Sequence, residues 1–331
     1  MPEPTCGSPN DQPGIAAIGV DSRAAVLRLF EAVFRSGMPD HWWHWKYGQN
    51  GNRGFGYWEA GELVAHCGIF PRRILVAGQA RVAWQLGDLM VASATRGRDL
   101  SRARSPFARI VRAALDQLPG PDNPDALAFG FPSDRAMRLG TRLGLFATID
   151  DWHEIEFDHT HPARQALRVR EVSMADPRVQ TQINALWGKM LPGLGEHLVG
   201  ERSADYWNWR YAHHPAQTYR LFAVRRPWWP APFAFVVLRE TAPGRWLWVD
   251  FVGSVVVFPL AALGAVAACR QLGGQSTFAF GTTTVMNRLG EVACTNRPTE
   301  IRIMANPASG AGFVERFAHK WWLMAGDTDY L

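Results

Sequence analysis

Carboxylates are the groups in this sequence best placed to do acid–base chemistry. Asp88 and Asp250 each lie in an apolar run, and Asp327 and Asp329 lie near the C-terminus in Gly326-Asp327-Thr328-Asp329. Each has two readings: a proton acceptor for a reaction at an amine, or a plain structural group. For Asp88 and Asp250 the structural reading is a strand-end ion pair; for Asp327 and Asp329 it is a solvated turn. A second chemical feature is the make-up of the positive charge. Thirty-five basic residues include only Lys46, Lys189 and Lys320 as lysines, against 30 acidic ones. A GC-rich genome produces that bias, and so does a need for planar donors facing phosphates. Trp228 and Trp229, between Pro227 and Pro230, form an aromatic pair in a loop, suited to a substrate platform or a subunit contact.

Metal chemistry finds no support. His213-His214 lacks a third ligand at workable spacing, His41 and His44 beside Trp42, Trp43 and Trp45 read as a packed helix end, and His153, His159 and His161 read as a scattered polar connector. No HExxH, GxSxG, Walker or GxGxxG pattern occurs. Cys6, Cys67, Cys269 and Cys294 make no CxxC, so no disulfide framework is expected and a cytoplasmic location is the default. No apolar run reaches the roughly 18 residues of a membrane span, and no membrane partner is expected.

The elements that must position these groups come from 331 residues, enough for two domains, with a hydrophobic share of 47% that excludes a mainly disordered chain. Residues 1–20 carry Pro and Gly without apolar periodicity and read as a flexible tail. Order begins near Asp21-Ser22, an N-cap for the amphipathic stretch Ala24 to Phe34.

Self-similarity organises the remainder. Trp43-His44-Trp45-Lys46-Tyr47 is answered by Trp207-Asn208-Trp209-Arg210-Tyr211. Alternating apolar segments follow both, at 56–59, 63–70 and 73–76, then at 219–224, 233–239 and 245–251. Leu86-Gly87-Asp88 matches Trp248-Val249-Asp250, and helical stretches follow at 107–118 and 260–272. Ala128-Phe129-Gly130 matches Ala279-Phe280-Gly281, and Arg138-Leu139-Gly140 matches Arg288-Leu289-Gly290. We therefore expect a tandem duplication of an α+β unit, with a flexible tail at 1–20, one domain at 21–150 and a second at 151–331. The second begins with a connector carrying a helix at 179–190.

The element order, the Trp-Lys-Tyr and Trp-Arg-Tyr openings, the Arg96-Gly97-Arg98 turn, Gly130-Phe131-Pro132-Ser133 and the Gly-Asp-Thr-Asp ending resemble the GNAT superfamily of N-acetyltransferases, in particular its tandem bacterial members. The resemblance spans about residues 22–331. It implies two tandem GNAT-like domains, each a mixed, mostly antiparallel sheet flanked by helices. In the family, an R/Q-x-x-G-x-G/A turn holds the CoA pyrophosphate on backbone amides and a helix N-terminus. Here Arg96, Gly97, Arg98 and Ser101 take that place, with Asp99 where the pattern has a glycine. The second copy has no such turn, so a CoA site belongs to the first. A later family spacing, N-x-x-A-x-x-x-Y-x-x-x-G-F, begins at Ser133 and has Gly140 in place of the tyrosine that protonates the departing thiolate.

The resemblance implies amide formation: an amine freed of its proton, an acyl donor held in line, and donors facing the oxyanion. It makes Asp88 the base, with Asp250, Asp327 and Asp329 as rivals. Three functions follow. One is an N-acyltransferase moving an acyl group from acyl-CoA or a carrier thioester to a small-molecule amine, with no tightly bound cofactor. The second is an aminoacyl-tRNA-dependent transferase, suited to the arginine-rich balance. The third is a non-catalytic module on a decayed fold.

Overall fold

A computed structural model describes residues 14–48, 51–95, 102–119, 126–160, 167–307 and 312–328. The chain forms two compact units, and each takes segments from several parts of the sequence. Unit one comprises Met1–Arg72, Val82–Ala147 and Met304–Phe313; unit two comprises Arg73–Arg81, Thr148–Ile303 and Val314–Leu331.

Unit one runs β1 (Gly14–Ala17), α1 (Arg23–Phe34), α2 (Asp40–Tyr47), β2 (Arg53–Glu59), β3 (Glu62–Val76), β4 (Gln79–Val91), α3 (Pro106–Leu115), β5 (Ala128–Gly130) and α4 (Asp134–Arg142). Its strands lie in the order β1-β2-β3-β4-β5. β1 and β2 are antiparallel, as are β2 and β3, whereas β4 and β5 are parallel. One cluster packs Cys67 and Ile69 of β3 with Ile110 and Val111 of α3 and with Phe146; a second gathers Val26, Leu29, Trp43, Trp58 and Met90 under α1 and α2. Burial of these apolar faces is what holds α1 to α4 against the sheet.

Two expectations change here. Gly14–Ala17 was placed in the tail, but it is a strand paired with Phe55–Trp58. Four residues are too few to show alternation, so the partner defines the strand. The segments 63–70 and 73–76 were read as separate, yet they are one 15-residue strand through Pro71. It turns back at Ala77 and Gly78, both at positive φ (49° and 78°), as a tight hairpin between right-twisted strands requires.

Unit two runs β6 (Ala147–Phe157), β7 (Arg168–Val172), α5 (Pro177–Leu194), β8 (Leu198–Gly200), α6 (Ala204–Trp207), β9 (Arg220–Arg225), β10 (Ala234–Ala242), β11 (Arg245–Gly253), α7 (Phe258–Gln271), β12 (Ser276–Thr282), α8 (Thr283–Leu289), β13 (Ala293–Ala305), α9 (Phe313–Phe317) and β14 (Trp321–Trp322). Its main sheet is ordered β13-β6-β12-β11-β10-β9-β7. The pair β11 and β12 is parallel, and β9, β10 and β11 are antiparallel. Residues 151–157, read as connector, form most of β6 and pair with β12. β10 and β11 fall where the sequence predicts strands, but they are buried on both faces over Ala234–Leu238 and Trp246–Gly253 and do not alternate; α7 buries Ala261, Ala265, Val266 and Cys269. Met304 and Ala305, the end of β13, pair with β5 within unit one.

Candidate active site

In unit one the last turn of α2 delivers Lys46 and Tyr47 beneath β4. Lys46 Nζ donates to Asp88 Oδ1 at 2.7 Å, and Tyr47 Oη donates to Asp88 Oδ2 at 2.6 Å. The Lys46 and Asp88 side chains are 5% and 7% exposed, so this is a buried ion pair with both carboxylate oxygens engaged. Burial alone would raise the Asp88 pKa, but Lys46 and Tyr47 outweigh it and hold the carboxyl below its ordinary value near 3.8.

Asp88 is also where β4 bends. Its φ of 46° lies in the left-handed region, which costs a non-glycine residue about 1 kcal/mol or more. The bonds to its side chain and carbonyl hold that conformation. His66 Nδ1 lies 2.9 Å from the Asp88 carbonyl oxygen. A carbonyl only accepts, so Nδ1 carries the proton and Nε2 bears the lone pair. Burial lowers the His66 pKa, keeping the ring neutral. Its Nε2 is buried without a hydrogen-bond partner and points at Gly54, where any Cβ would crowd it.

The bend opens a cavity. The β4–β5 ladder ends at Leu86 opposite Gly130, two residues before Asp88. Beyond it, Leu89 and Val91 line a space of about 270 Å³ together with Phe34, Phe107, Ala136 and Leu139. Two helices begin on this space. Ser105 caps α3, its Oγ accepting from Ala108 N at 3.3 Å, and Ser133 caps α4, accepting from Ala136 N at 3.4 Å. The cavity thus joins an apolar wall to two helix N-termini, which favour negative charge.

The counterpart in unit two is closed. Tyr211 Oη donates to Asp250 Oδ2 at 2.6 Å, repeating the Tyr47–Asp88 bond. Here the cation is Arg202, fully buried, whose Nε reaches Asp250 Oδ1 at 3.0 Å and whose Nη2 reaches Asp327 Oδ2 at 2.5 Å. Burial and the neighbouring Asp250 raise the Asp327 pKa against the opposing pull of Arg202. The β11–β12 ladder ends at Trp248 opposite Ala279, again two residues before the aspartate. The segment Leu323–Thr328 then follows β12: Thr282 N donates to Leu323 O, and Gly281 bridges Met324. Arg210 donates to the carbonyls of Gly326 and Thr328 at 3.2 and 2.9 Å. Gly326 lies against the Tyr211 hydroxyl and Asp250, with no room for a Cβ.

Of the residues singled out from the sequence, Asp250 and Asp327 are brought together through Arg202, whereas Asp88 sits in its own cluster in unit one. Ser133 lines the cavity. Trp228 and Trp229 stand on the β9–β10 loop of unit two, 93% and 66% exposed, and are not part of that lining. Arg96, Gly97, Arg98, Ser101 and Asp329 lie outside the described residues. Sequence reasoning missed Lys46, Tyr47, His66 and Arg202 as partners of the aspartates. The repeat already contained the signal, since the tyrosine ending each Trp-x-Trp motif recurs with the aspartate of each copy.

Residues 17–142 match the family model described as an acetyltransferase (GNAT) domain. No curated protein matches the sequence. Solved structures do match. A probable N-acyltransferase of Enterococcus faecalis superposes with a TM-score of 0.68 at 13% identity, over 90% of this chain and 73% of that one. A GCN5-related N-acetyltransferase of Anabaena variabilis gives 0.62 at 12%, over 89% and 73%. Saccharomyces cerevisiae N-myristoyltransferase, solved with myristoyl-CoA, gives 0.51 at 12%, over 90% and 81%. At such identities the structural matches describe the fold. The likeness to an acetyltransferase (GNAT) domain is carried by residues 17–142, within a fold shared with solved GNAT-type structures.

Proposed function

We propose that the protein is an N-acyltransferase that takes its acyl group from acyl-CoA in the cavity of unit one and passes it to a small-molecule amine. The observation that carries this reading is the cavity at the end of the β4–β5 ladder, apolar along β4 and flanked by the N-termini of α3 and α4. An apolar arm with phosphates at one end fits such a wall and such helix ends. The amine nitrogen attacks the thioester carbonyl; the C–N bond forms, the C–S bond breaks, and CoA leaves with the proton the amine gives up. Backbone N–H groups of β4 beyond its ladder with β5 are the oxyanion donors in this reading.

Asp88 then positions β4 and does not serve as the base, because Lys46 and Tyr47 hold both of its oxygens. Asp250 and Asp327 act in the same way on Leu323–Thr328. The recurrence of the Tyr–Asp bond and of the ladder end supports reading the two units as copies of one ancestral fold, of which the first kept the donor site.

Calorimetric titration with CoA tests the assignment. Binding should be measurable with the wild type and weaker by about tenfold or more in Ala136→Trp, which fills the cavity from α4. A wild type that binds no CoA, or that consumes charged tRNA in preference to acyl-CoA, overturns it.

A further inference from the structure

Among the described residues of unit two, three large apolar side chains stand in the open: Trp228, Trp229 and Val256, at 93%, 66% and 81% exposure. They come from different loops at one end of the sheet. Trp228 and Trp229 sit between β9 and β10, where Phe233 N returns to Val224 O at 3.0 Å. Ala234, which starts β10, is paired with Gly253, which ends β11, and Val256 follows three residues later. Pro227, Pro230 and Pro232 stiffen the tryptophan loop, and Trp229 N closes a turn on Arg226 O at 3.2 Å. The tryptophans are thus held out in water by a loop with little freedom to fold them away.

Arginine is concentrated beside the tryptophan loop. Arg168 on β7 lies directly opposite Arg225 on β9, and Arg226 follows at the start of the loop. Like charges opposed across a ladder cost stability unless an anion is shared between them. Among the described residues, Arg168, Arg225 and Arg226 enter no ion pair, while Glu171, the acidic residue of β7, is engaged with Arg220.

We propose that this end of unit two docks on the surface of an anionic bilayer. Tryptophan settles at the level of lipid headgroups, and a valine beside it gains by entering the acyl boundary. The arginines meet the lipid phosphates, whose attraction decays within a Debye length. Single-stranded nucleic acid also suits arginine beside tryptophan, but Val256 offers a base no stacking surface. The lack of a spanning helix among the described residues bears on crossing a membrane and leaves docking open.

Flotation with lipid vesicles tests the proposal on the full chain. The wild type should float with phosphatidylcholine vesicles containing about 30 mol% phosphatidylglycerol, and not with phosphatidylcholine alone. Binding should fall about tenfold or more in Trp228→Ser/Trp229→Ser, and similarly in Arg225→Gln/Arg226→Gln or in about 0.5 M salt. These positions are exposed or half-buried, so an unchanged circular dichroism melt confirms that the variants are folded. Three results overturn it: no binding to anionic vesicles, binding indifferent to the tryptophans, or a tryptophan-dependent dimer or RNA complex in place of vesicle binding. None of them touches the CoA assignment, which is read by a separate titration.

Discussion

At the scale of single residues, Asp88 ties together three otherwise costly things: a buried lysine, a left-handed backbone and the end of a ladder. Removing its charge takes the Asp88 counter-charge from the buried Lys46, and breaking a buried pair in this way typically costs about 3–5 kcal/mol. Asp88→Asn should therefore lower the unfolding free energy measured by urea titration at pH 7 by an amount of that order. The pH dependence has a definite sign. Because the folded pKa lies below 3.8, the carboxylate's contribution is complete above that value and is lost as pH falls through the folded pKa. His66, lowered from 6.5 by burial, acts in the same direction from a higher pH, since the unfolded ring gains its proton first. The acid limb of stability should flatten below about pH 4 in Asp88→Asn; an acid limb as steep as that of the wild type would show the pair is not its source. Little of this was legible in the sequence. A lone lysine among three tryptophans reads as a surface charge, and only the fold reveals that the last turn of α2 faces inward.

At the scale of elements, the segment Leu323–Thr328 does for unit two what no strand among the described residues does for unit one. Its fit depends on Gly326, whose missing side chain admits the Tyr211 hydroxyl. Gly326→Ala should cost about 1–3 kcal/mol by overpacking. The loss should be local: amide exchange should quicken from Leu323 to Thr328 while CoA affinity holds. Unchanged exchange there would mean that the segment is anchored by the arginines alone. The apolar runs at 233–239 and 245–251 foretold β10 and β11, but the two strands are buried on both faces, where the sequence reading expects one-faced alternation. The same reading fails for β3, where the apolar pattern pauses at Pro71-Arg72-Arg73 although the strand continues, and for β1, which is defined by its partner. The Gly-Asp-Thr-Asp ending was visible, but its place beside β11 rests on Arg202, a residue far away in sequence.

At the scale of the whole molecule, the division expected near residue 150 is only part of the arrangement. Unit one also needs Met304 and Ala305, which pair with β5, and Asn306, which bonds Ala128 N and Ala126 O at 2.7 and 3.2 Å. A fragment of residues 1–150 would leave those buried backbone groups unpaired and a sheet edge open. It should aggregate, or melt without cooperativity, as followed by light scattering and circular dichroism. A sharp two-state melt of that fragment would refute the claim. The recurrence of motifs is legible in the sequence; the exchange of segments is not, since it depends on contacts distant along the chain.

The filling of the β11–β12 gap by Leu323–Thr328 has a thermodynamic consequence. A free ligand stabilises its site by an amount that grows with the logarithm of its concentration. A tethered segment is present at a fixed effective concentration and contributes a constant. Under the proposed function, unit one becomes more stable as acyl-CoA accumulates, while the gap in unit two stays saturated whatever the supply. One half of the molecule would then register the metabolic state of the cell and the other would be indifferent to it.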